Sequence, residues 1–270
     1  MKADPSAALA AERQGRLIGS NFVANWGSFG FFGPLSVLPE HWGQGAAQQL
    51  VAATMEIFRR QGNRHLGLYT FAQSPKHMVL YQKFGFWPRD LVAVMSKSVA
   101  PVADPHQSSV ARFSELKENR HASVLEACRG VTEAIFEGFD VTSEIQAVAT
   151  QVLGDTVLVY DDLHLAGFAV CHVGAGTEAG SGVCFVKFAA VRPGPHAESD
   201  FAHLIKSCES LAAHAGAQKL SLGVNLARRE AFRHLFAQGF RTDMQGVAME
   251  TGDGTSGYNH PGVYVLDDWR

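Results

Sequence analysis

The sequence has little of several features that would assign it to a specialised class. Only 18% of its 270 residues are charged, and 23 basic residues face 26 acidic ones, giving a formal net charge of -3. A chain so close to neutrality has no overall electrostatic basis for binding nucleic acid or an anionic membrane. It also lacks an apolar run of about 18 residues and a signal-peptide pattern, so we predict a cytoplasmic protein.

Metal-ligand spacing is missing as well. The cysteines form no CxxC pair and the 12 histidines form no HExxH motif, so neither structural zinc nor another metal site is predicted. A chain of this size does not need disulfides, so buried free thiols are the expected state of all four cysteines. These are Cys128, Cys171, Cys184 and Cys208.

What the sequence does contain is a repeated order of strand and helix patterns. A stretch with two prolines and small polar residues, Ser98 to Ser109, indicates a linker. Before it come two strands, an amphipathic helix, a strand, a short helix and a strand. After it come an additional strand and two helices, and then the same order is repeated. The segment HMVLYQKFGFW matches AFRHLFAQGFR. This predicts an α/β (α+β) protein of two tandem domains, 1–99 and 108–270.

A glycine turn between a strand and a helix is the most informative segment. It runs from Val37 to Ala47, and such a turn points consecutive backbone N–H groups out of the helix start. These donors and the helix dipole can receive a pyrophosphate if the nearest side chains are minimal. Gly43, Gly45, Ala46 and Ala47 meet that condition, although glycines in this position are more often simple turn geometry.

The run VLPEHWGQGAA resembles the acyl-CoA pyrophosphate loop of the GNAT superfamily of N-acetyltransferases. The family pattern is Arg or Gln, two residues, Gly, one residue, then Gly or Ala. Gly45 and Ala47 match the last two places, whereas Trp42 stands in the first. The resemblance implies a mixed, mostly antiparallel sheet flanked by helices in each domain.

A second segment, SPKHMVLYQKFGF, is similar to the family sequence in which Asn and Ala precede Leu-Tyr-x-x-x-Gly-Phe. Tyr81, Gly85 and Phe86 match, while Ser74 and His77 stand in the Asn and Ala places. Two motifs in the family's order, separated by a helix and a strand, are more specific than either one alone.

The resemblance implies an acetyl-CoA-dependent N-acetyltransferase that acts by direct attack of an amine of a small molecule or peptide. Tyr81 would give a proton to the leaving thiolate, and the strand end would hold the pantetheine. The implied cofactor-binding residues are Leu35, Ser36, Val37, Trp42, Gly43, Gln44, Gly45, Ala46, Ala47, Gln48 and Ser74. The alternative is a non-catalytic acyl-CoA-binding or regulatory module, and a purely structural tandem domain is a third reading.

No residue is identified as the general base. The candidates near in sequence are more typical of solvated or helix-packing positions, so a water chain or an already deprotonated amine would serve; they are Glu40, His41, His65 and His77. An aromatic run is a candidate acceptor groove, although such runs more often form sheet core: Asn25, Trp26, Phe29, Phe31 and Phe32.

The second repeat departs from the loop pattern. Alignment places Ser199 opposite Gly45 and Phe201 opposite Ala47, where Phe201 is expected to obstruct a pyrophosphate. Leu235 takes the place of Tyr81, so we predict a domain that has lost acyl-CoA chemistry. A different ligand is the alternative, for which the candidates are His172, Thr177 and Glu178.

The first repeat looks truncated, because about 15 residues precede its strand at Arg16, whereas family members usually begin with a strand and two helices. The tail is expected to fill that space, with an edge strand at 264–266 and Trp269 capping a core, although ordinary tail packing explains it equally well. A homodimer is compatible with the sequence, which leaves the oligomeric state open.

Overall fold

The computed structural model describes residues 5–100, 109–162, 164–252 and 257–269, so most of the predicted linker lies outside the described residues. Two compact units divide the chain. The first contains the residues up to Asp90 with Gly246–Gly257 and Trp269, and the second contains Leu91–Gln245 with Tyr258–Asp268. These units do not coincide with the predicted domains, 1–99 and 108–270. The division of the sequence into two repeats stays a prediction.

The first unit carries the glycine loop. Its strands are β1 (Ala8–Arg13), β2 (Arg16–Trp26), β3 (Phe29–Phe32), β4 (Ser36–Val37) and β5 (His65–Thr70), and its helices are α1 (Ala46–Gln61) and α2 (Pro75–Gln82). Strands β1, β2 and β3 pair antiparallel, and β3 pairs parallel to β5. The helices contribute to a core with Val51, Phe58 and Tyr81 packed against strand residues such as Phe32 and Leu68.

The second unit holds most of the remaining elements. These are β6 (Trp87–Ser98, which begins in the first unit), β7 (Val110–Arg112), α3 (Glu118–Glu133), α4 (Thr142–Gln151), β8 (Gly154–Asp161), β9 (His164–Val173), β10 (Val183–Val191), α5 (Ala197–His214), β11 (Lys219–Asn225), α6 (Arg229–Ala237), β12 (Arg241–Glu250) and β13 (Val265–Leu266). The strand order is β6-β11-β10-β9-β8-β7, with β13 beside β10. Among the strand pairs described in this unit, the β10–β11 pair is parallel and the others are antiparallel.

The predicted class is confirmed: each unit is a mixed, mostly antiparallel sheet flanked by helices. All four cysteines are buried free thiols, as expected. Among the described residues, no helix is long and apolar enough to cross a membrane, and no group of His, Cys, Asp or Glu side chains is arranged to hold a metal ion.

Two features differ from the sequence-based expectation. Strand β1 precedes the strand at Arg16, which we expected to be the first; none of the residues of β1 is buried, so its sequence has no alternating apolar pattern that would indicate a strand. The last strand of each repeat also lies in the other unit: β6 pairs with β11, and residues 247–250 of β12 pair with β5. Pairings between segments so far apart in sequence leave no local pattern.

Candidate functional site

The glycine loop has the backbone geometry that an anion site requires. Gly43 and Gly45 both adopt positive φ angles, 72° and 87°, in the left-handed region that favours glycine. A Cβ atom built on either glycine would meet no heavy atom within 4 Å, so the space beside the loop is open. Helix α1 begins at the next residue, Ala46, as the sequence predicted.

The N–H groups of this loop are free to bind a ligand. Gly45, the N-cap, has no side-chain cap, and the first intrahelical bond is from Gln49 N–H to the Gly45 carbonyl at 3.0 Å. In the described part of the chain, the backbone N–H groups of residues 43–48 find no acceptor. Six unbonded donors at the positive end of a 16-residue helix form a strong site for an oxyanion.

Two side chains give the loop its local charge and shape. Arg13, at the end of β1, donates a hydrogen bond to the Gln44 Oε1 atom, while Gln44 Nε2 donates to the Glu40 carbonyl at 3.0 Å. The Arg13 guanidinium therefore lies beside the loop. It places a positive charge there, which the uncharged Trp42 does not. Trp42 is 65% exposed, and its Nε1 donates to the Val37 carbonyl at 2.7 Å.

The strand that leads into the loop has an open edge. Strand β4 pairs with β2 in the register Ser36 to Ser20, and Leu38 N–H donates to the Ile18 carbonyl at 2.8 Å. Hydrogen-bonded and non-hydrogen-bonded pairs alternate in an antiparallel ladder, so the N–H and C=O groups of Leu35 and Val37 point away from β2. The β3–β5 pairing covers only Phe29–Phe31, and no described strand pairs with 35–37 on that side.

Tyr81 lies on α2 inside the core of the first unit. Its side chain is 7% exposed, and its ring makes an edge contact with Phe32, the last residue of β3, at a centroid distance of 5.8 Å. Burial raises the pKa of the Tyr81 hydroxyl to about 12. Helix α2 begins at Pro75 after Ser74, as predicted, but Ser74 makes no side-chain cap bond.

Of the four named base candidates, His77 has its ring 6.5 Å from the Tyr81 ring, centroid to centroid, but it is exposed, and none of the four is a buried, oriented base beside Tyr81. Glu40 and His77 are exposed, and His41 is half-buried in a short helical turn before the loop. His65 is buried at the first residue of β5, where its Nε2 lies 2.9 Å from Glu250 Oε2. Because β5 has six residues, its first residue, His65, lies about 16 Å from its last residue, Thr70. Sequence reasoning had no signal for Glu250, which is 185 residues away.

The aromatic run forms sheet core rather than an exposed groove. Trp26, Phe29, Phe31 and Phe32 are each no more than 2% exposed. Trp269 packs on the same cluster, with its ring centroid 5.0 Å from that of Phe29. A Cβ atom at Gly67 would lie 2.8 Å from the Trp269 ring, so glycine is required beneath it. Trp269 thus packs on this core, as both the capping role and ordinary tail packing predict.

The corresponding segment of the second unit has no such loop. Helix α5 begins at Ala197, two residues before Ser199, so the position aligned with Gly45 is already helical. Asp200 N–H donates to the His196 carbonyl at 2.9 Å and is not available to a ligand. Phe201 is fully buried and contacts the Tyr264 ring at 5.2 Å. Phe201, which we expected to obstruct a pyrophosphate, packs in the core instead.

The strand edge of the second unit is filled by the protein's own tail. Strands β10 and β11 pair in parallel from Val183 to Val186, and further along β10 the residues Ala189 and Ala190 pair with β13. Val191 N–H also donates to the Tyr264 carbonyl at 3.2 Å. The edge strand expected at 264–266 thus exists, but it adds to the second unit and not to the space before Arg16.

A buried arginine holds this tail in place. Arg228, fully buried before α6, donates to the Val265 carbonyl at 2.8 Å and to Asp267 Oδ1 at 3.0 Å. It also donates twice to Asn259 Oδ1, and Tyr258 donates its hydroxyl to Asp267 Oδ2 at 2.9 Å. Charge-assisted bonds to three tail residues, Asn259, Val265 and Asp267, make Arg228 the clamp of segment 258–268.

Comparison with known proteins agrees with this geometry. Residues 1–86 match the model of the acetyltransferase (GNAT) family. No curated protein sequence matches the chain. A provisionally assigned acetyltransferase from Pyrococcus horikoshii is similar in structure, with a TM-score of 0.67 and 14% identity over 97% of this chain and 79% of that one.

Two further solved structures are similar over most of their length. A GCN5-related N-acetyltransferase from Sphaerobacter thermophilus has a TM-score of 0.55 and 17% identity, covering 91% of this chain and 80% of that one. A tandem GNAT protein from the clavulanic acid biosynthesis pathway has a TM-score of 0.54 and 14% identity, covering 94% and 86%. The chain therefore has the fold of GNAT acetyltransferases, and residues 1–86 carry the sequence pattern of that family.

Proposed function

We propose that this protein is an N-acetyltransferase that transfers the acetyl group of acetyl-CoA to an amine of a small molecule or peptide by direct attack. The observation that carries the proposal is the open glycine loop of the first unit, whose N–H groups at 43–48 have no acceptor in the described chain. The family match over residues 1–86 supports it, because that match includes both the loop and Tyr81.

The described residues fit an acyl-CoA. Unbonded amides of residues 43–48 would hold the diphosphate, with the Arg13 guanidinium beside them. The outward amide groups of Leu35 and Val37 would pair with the two amides of the pantetheine arm, as an added strand pairs with an open edge. Acetyl-CoA supplies an acetyl group activated as a thioester.

We propose that Tyr81 stabilises the leaving thiolate. With a pKa of about 12, the Tyr81 hydroxyl keeps its proton throughout the physiological range. An ordinary thiol has a pKa near 8.5, roughly 3 to 4 units lower, so complete transfer of the proton from Tyr81 is uphill. Its role is therefore to donate a hydrogen bond at its Oη atom while negative charge develops on sulfur.

The incoming amine must be neutral to act as a nucleophile. Residues 29–37 contain no carboxylate, and the buried His65 is held by Glu250 at the far end of β5. We infer that the amine arrives deprotonated or loses its proton to water. An outward backbone N–H of residues 35–37 that the pantetheine arm leaves unpaired would be the donor that polarises the acetyl carbonyl.

One observation favours the alternative, a non-catalytic acyl-CoA-binding or regulatory module. Trp42 stands where the family pattern has Arg or Gln, and its indole is bonded to the Val37 carbonyl on the open edge. Both readings require acyl-CoA binding, but only the enzyme releases free CoA when an amine is present.

Release of free CoA thiol from acetyl-CoA across a panel of small amines and peptide amines tests the proposal. We expect amine-dependent release by the wild-type protein and none by Gly45→Glu, in which a charged side chain enters the loop. Gly216→Glu is the matched control, because Gly216 has a similar positive φ of 71° and open space but lies in the second unit. Acetyl-CoA binding without thiol release would support the alternative. If neither binding nor thiol release is observed, both the enzyme and the non-catalytic module are ruled out.

A cytoplasmic location and a homodimeric state, both compatible with the sequence, remain predictions. The same holds for the absence of nucleic-acid and membrane partners. Cell fractionation and sedimentation analysis would test the first two directly.

A further inference from the structure

The hairpin at the start of the first unit carries two arginines opposite each other. Strands β1 and β2 are joined by Gln14 and Gly15, whose φ angles of 52° and 74° are both positive. Such angles are typical of a tight two-residue hairpin turn. Arg13, the last residue of β1, pairs with Arg16, the first residue of β2. The turn therefore fixes the backbone beneath both arginines.

The two arginine side chains share one face of the hairpin. Residues directly opposite each other in an antiparallel pair have Cβ atoms about 4.5–5.5 Å apart, and like charges in these positions repel each other. Arg13 and Arg16 are both exposed, and neither guanidinium forms an ion pair with a carboxylate in the part of the chain that the structure describes. Glu12, the neighbouring residue on β1, is on the opposite face because side chains alternate along a strand. A ligand with two negative charges would remove the repulsion between the arginines.

One of these arginines is bonded to the glycine loop. Arg13 donates a hydrogen bond to Gln44 Oε1, and Gln44 Nε2 donates to the Glu40 carbonyl at 3.0 Å. Gln44 belongs to the run 43–48, whose backbone N–H groups find no acceptor among the described residues. Arg13 therefore stands beside the proposed diphosphate site, and Arg16 stands next to Arg13.

An acyl-CoA has a second anionic group close to its diphosphate. The diphosphate is attached to a ribose that also carries a phosphate monoester at its 3′ position. A phosphate monoester has a charge of about -1.5 to -2 at pH 7, and the guanidinium group of arginine matches its oxygens with parallel hydrogen bonds. If the loop amides hold the diphosphate, the 3′-phosphate is the anionic group that is left for the arginine pair.

We propose that Arg13 and Arg16 bind the 3′-phosphate of the CoA nucleotide, so that the protein selects CoA over 3′-dephospho-CoA. This inference rests on the proposed function, because it concerns the same cofactor. The family's loop pattern begins with Arg or Gln, where this chain has the uncharged Trp42. Positive charge reaches the loop from the β1–β2 hairpin instead, on a segment outside that pattern.

The test is calorimetric titration of the full chain with CoA and with 3′-dephospho-CoA, which differ only in that phosphate. We expect the wild type to bind CoA about five- to tenfold more tightly, with a preference that declines as salt is added. Arg16→Gln should reduce the preference to about twofold or less and leave the Kd for 3′-dephospho-CoA within about twofold. Arg13→Gln should also reduce it, and this second variant gives an independent result.

Arg60→Gln is the matched control, because Arg60 is exposed in the last turn of α1, about 21 Å along the helix axis from Ala46. It should keep the wild-type preference, and a thermal melt shows that each variant is folded.

Three outcomes would overturn the proposal while acyl-CoA binding stands. The wild type could bind CoA and 3′-dephospho-CoA equally; Arg16→Gln could keep the full preference; or Arg16→Gln could weaken both ligands equally, which would place the arginine at the diphosphate. Failure of the wild type to bind either ligand would overturn the proposed function as well, so the two failures are distinguishable.

Discussion

In the first unit, β3 and β5 pair in parallel as far as Phe31 and Gly67, and residues 35–37 then have no strand partner on that side. In the second unit, β10 and β11 pair as far as Val186 and Leu222, and β13 then adds to β10. The two edges begin alike and end differently. An amide-rich ligand can add to the first edge, whereas the second is already satisfied by the polypeptide.

The helices that follow these edges differ in the same sense. Helix α1 begins after an uncapped glycine in a left-handed conformation and leaves its first N–H groups unbonded. Helix α5 begins earlier relative to the alignment and carries Glu198 and Asp200 in its first turn. Those carboxylates satisfy the positive end of the helix dipole themselves and repel an anion. The two units thus present one open loop and edge, which we propose takes acyl-CoA, and one closed counterpart.

The largest expected effect comes from breaking the contact that closes the second edge. Arg228→Met removes one partner of a buried ion pair, whose side chains are 0% and 2% exposed, and leaves Asp267 uncompensated. Breaking such a pair typically costs about 3–5 kcal/mol of unfolding free energy. Chemical denaturation monitored by circular dichroism measures it.

Arg229→Met is the control for this variant, because Arg229 is the exposed next residue, the first of α6. Its free energy of unfolding should change by less than about 0.5 kcal/mol. Equal effects of the two substitutions would contradict the assignment of Arg228 as the clamp of the tail.

The next largest effect is expected at the first edge. Tyr81→Phe removes the hydroxyl that we propose stabilises the leaving thiolate, and we expect kcat to fall about 100-fold while the Kd for acetyl-CoA stays within about twofold. Tyr160→Phe, a change in the second unit, should leave both constants unchanged. A parallel loss of affinity and kcat in Tyr81→Phe would mean that this residue only supports the pocket.

The pH dependence of kcat tests the same residue. Tyr81 must be protonated to donate, and with a pKa of about 12 it loses its proton only above the usual assay range. It should therefore contribute no decline in kcat below about pH 11. A basic limb near pH 9 or 10 that disappears in Tyr81→Phe would show that the tyrosine titrates much lower than its burial implies.

The smallest effect concerns the departure at the loop. Trp42→Arg places a cation at an exposed position beside the diphosphate site, and exposed charge pairs contribute about 0.2–1 kcal/mol. We expect acetyl-CoA to bind about two- to fivefold more tightly at low ionic strength, with the gain fading as salt is added. Trp87→Arg, at another exposed tryptophan of the first unit, should give no gain.

Much of the loop and its setting can be predicted from local sequence. Gly45, Ala46 and Pro75 mark helix boundaries through their own conformational preferences, so the starts of α1 and α2 follow from the residues alone. The order of strands and helices is likewise carried by apolar periodicity, except at β1, where no residue is buried.

What could not be predicted depends on contacts between distant segments. The Arg13 bond to Gln44, the His65 pair with Glu250 and the Arg228 bonds to the tail join residues 31 to 185 positions apart. The pairing of β12 with β5 is also a contact between distant segments. A strand close to β5 in sequence could have formed the same backbone hydrogen bonds. Such choices are decided by tertiary packing, which spacing along the chain does not encode.

Calorimetric titration of acetyl-CoA into the full chain tests the central claim most directly. The account predicts one saturable site per chain, lost in Gly45→Glu and retained in Gly216→Glu. Two sites per chain, or a single site that Gly45→Glu leaves intact, would contradict it.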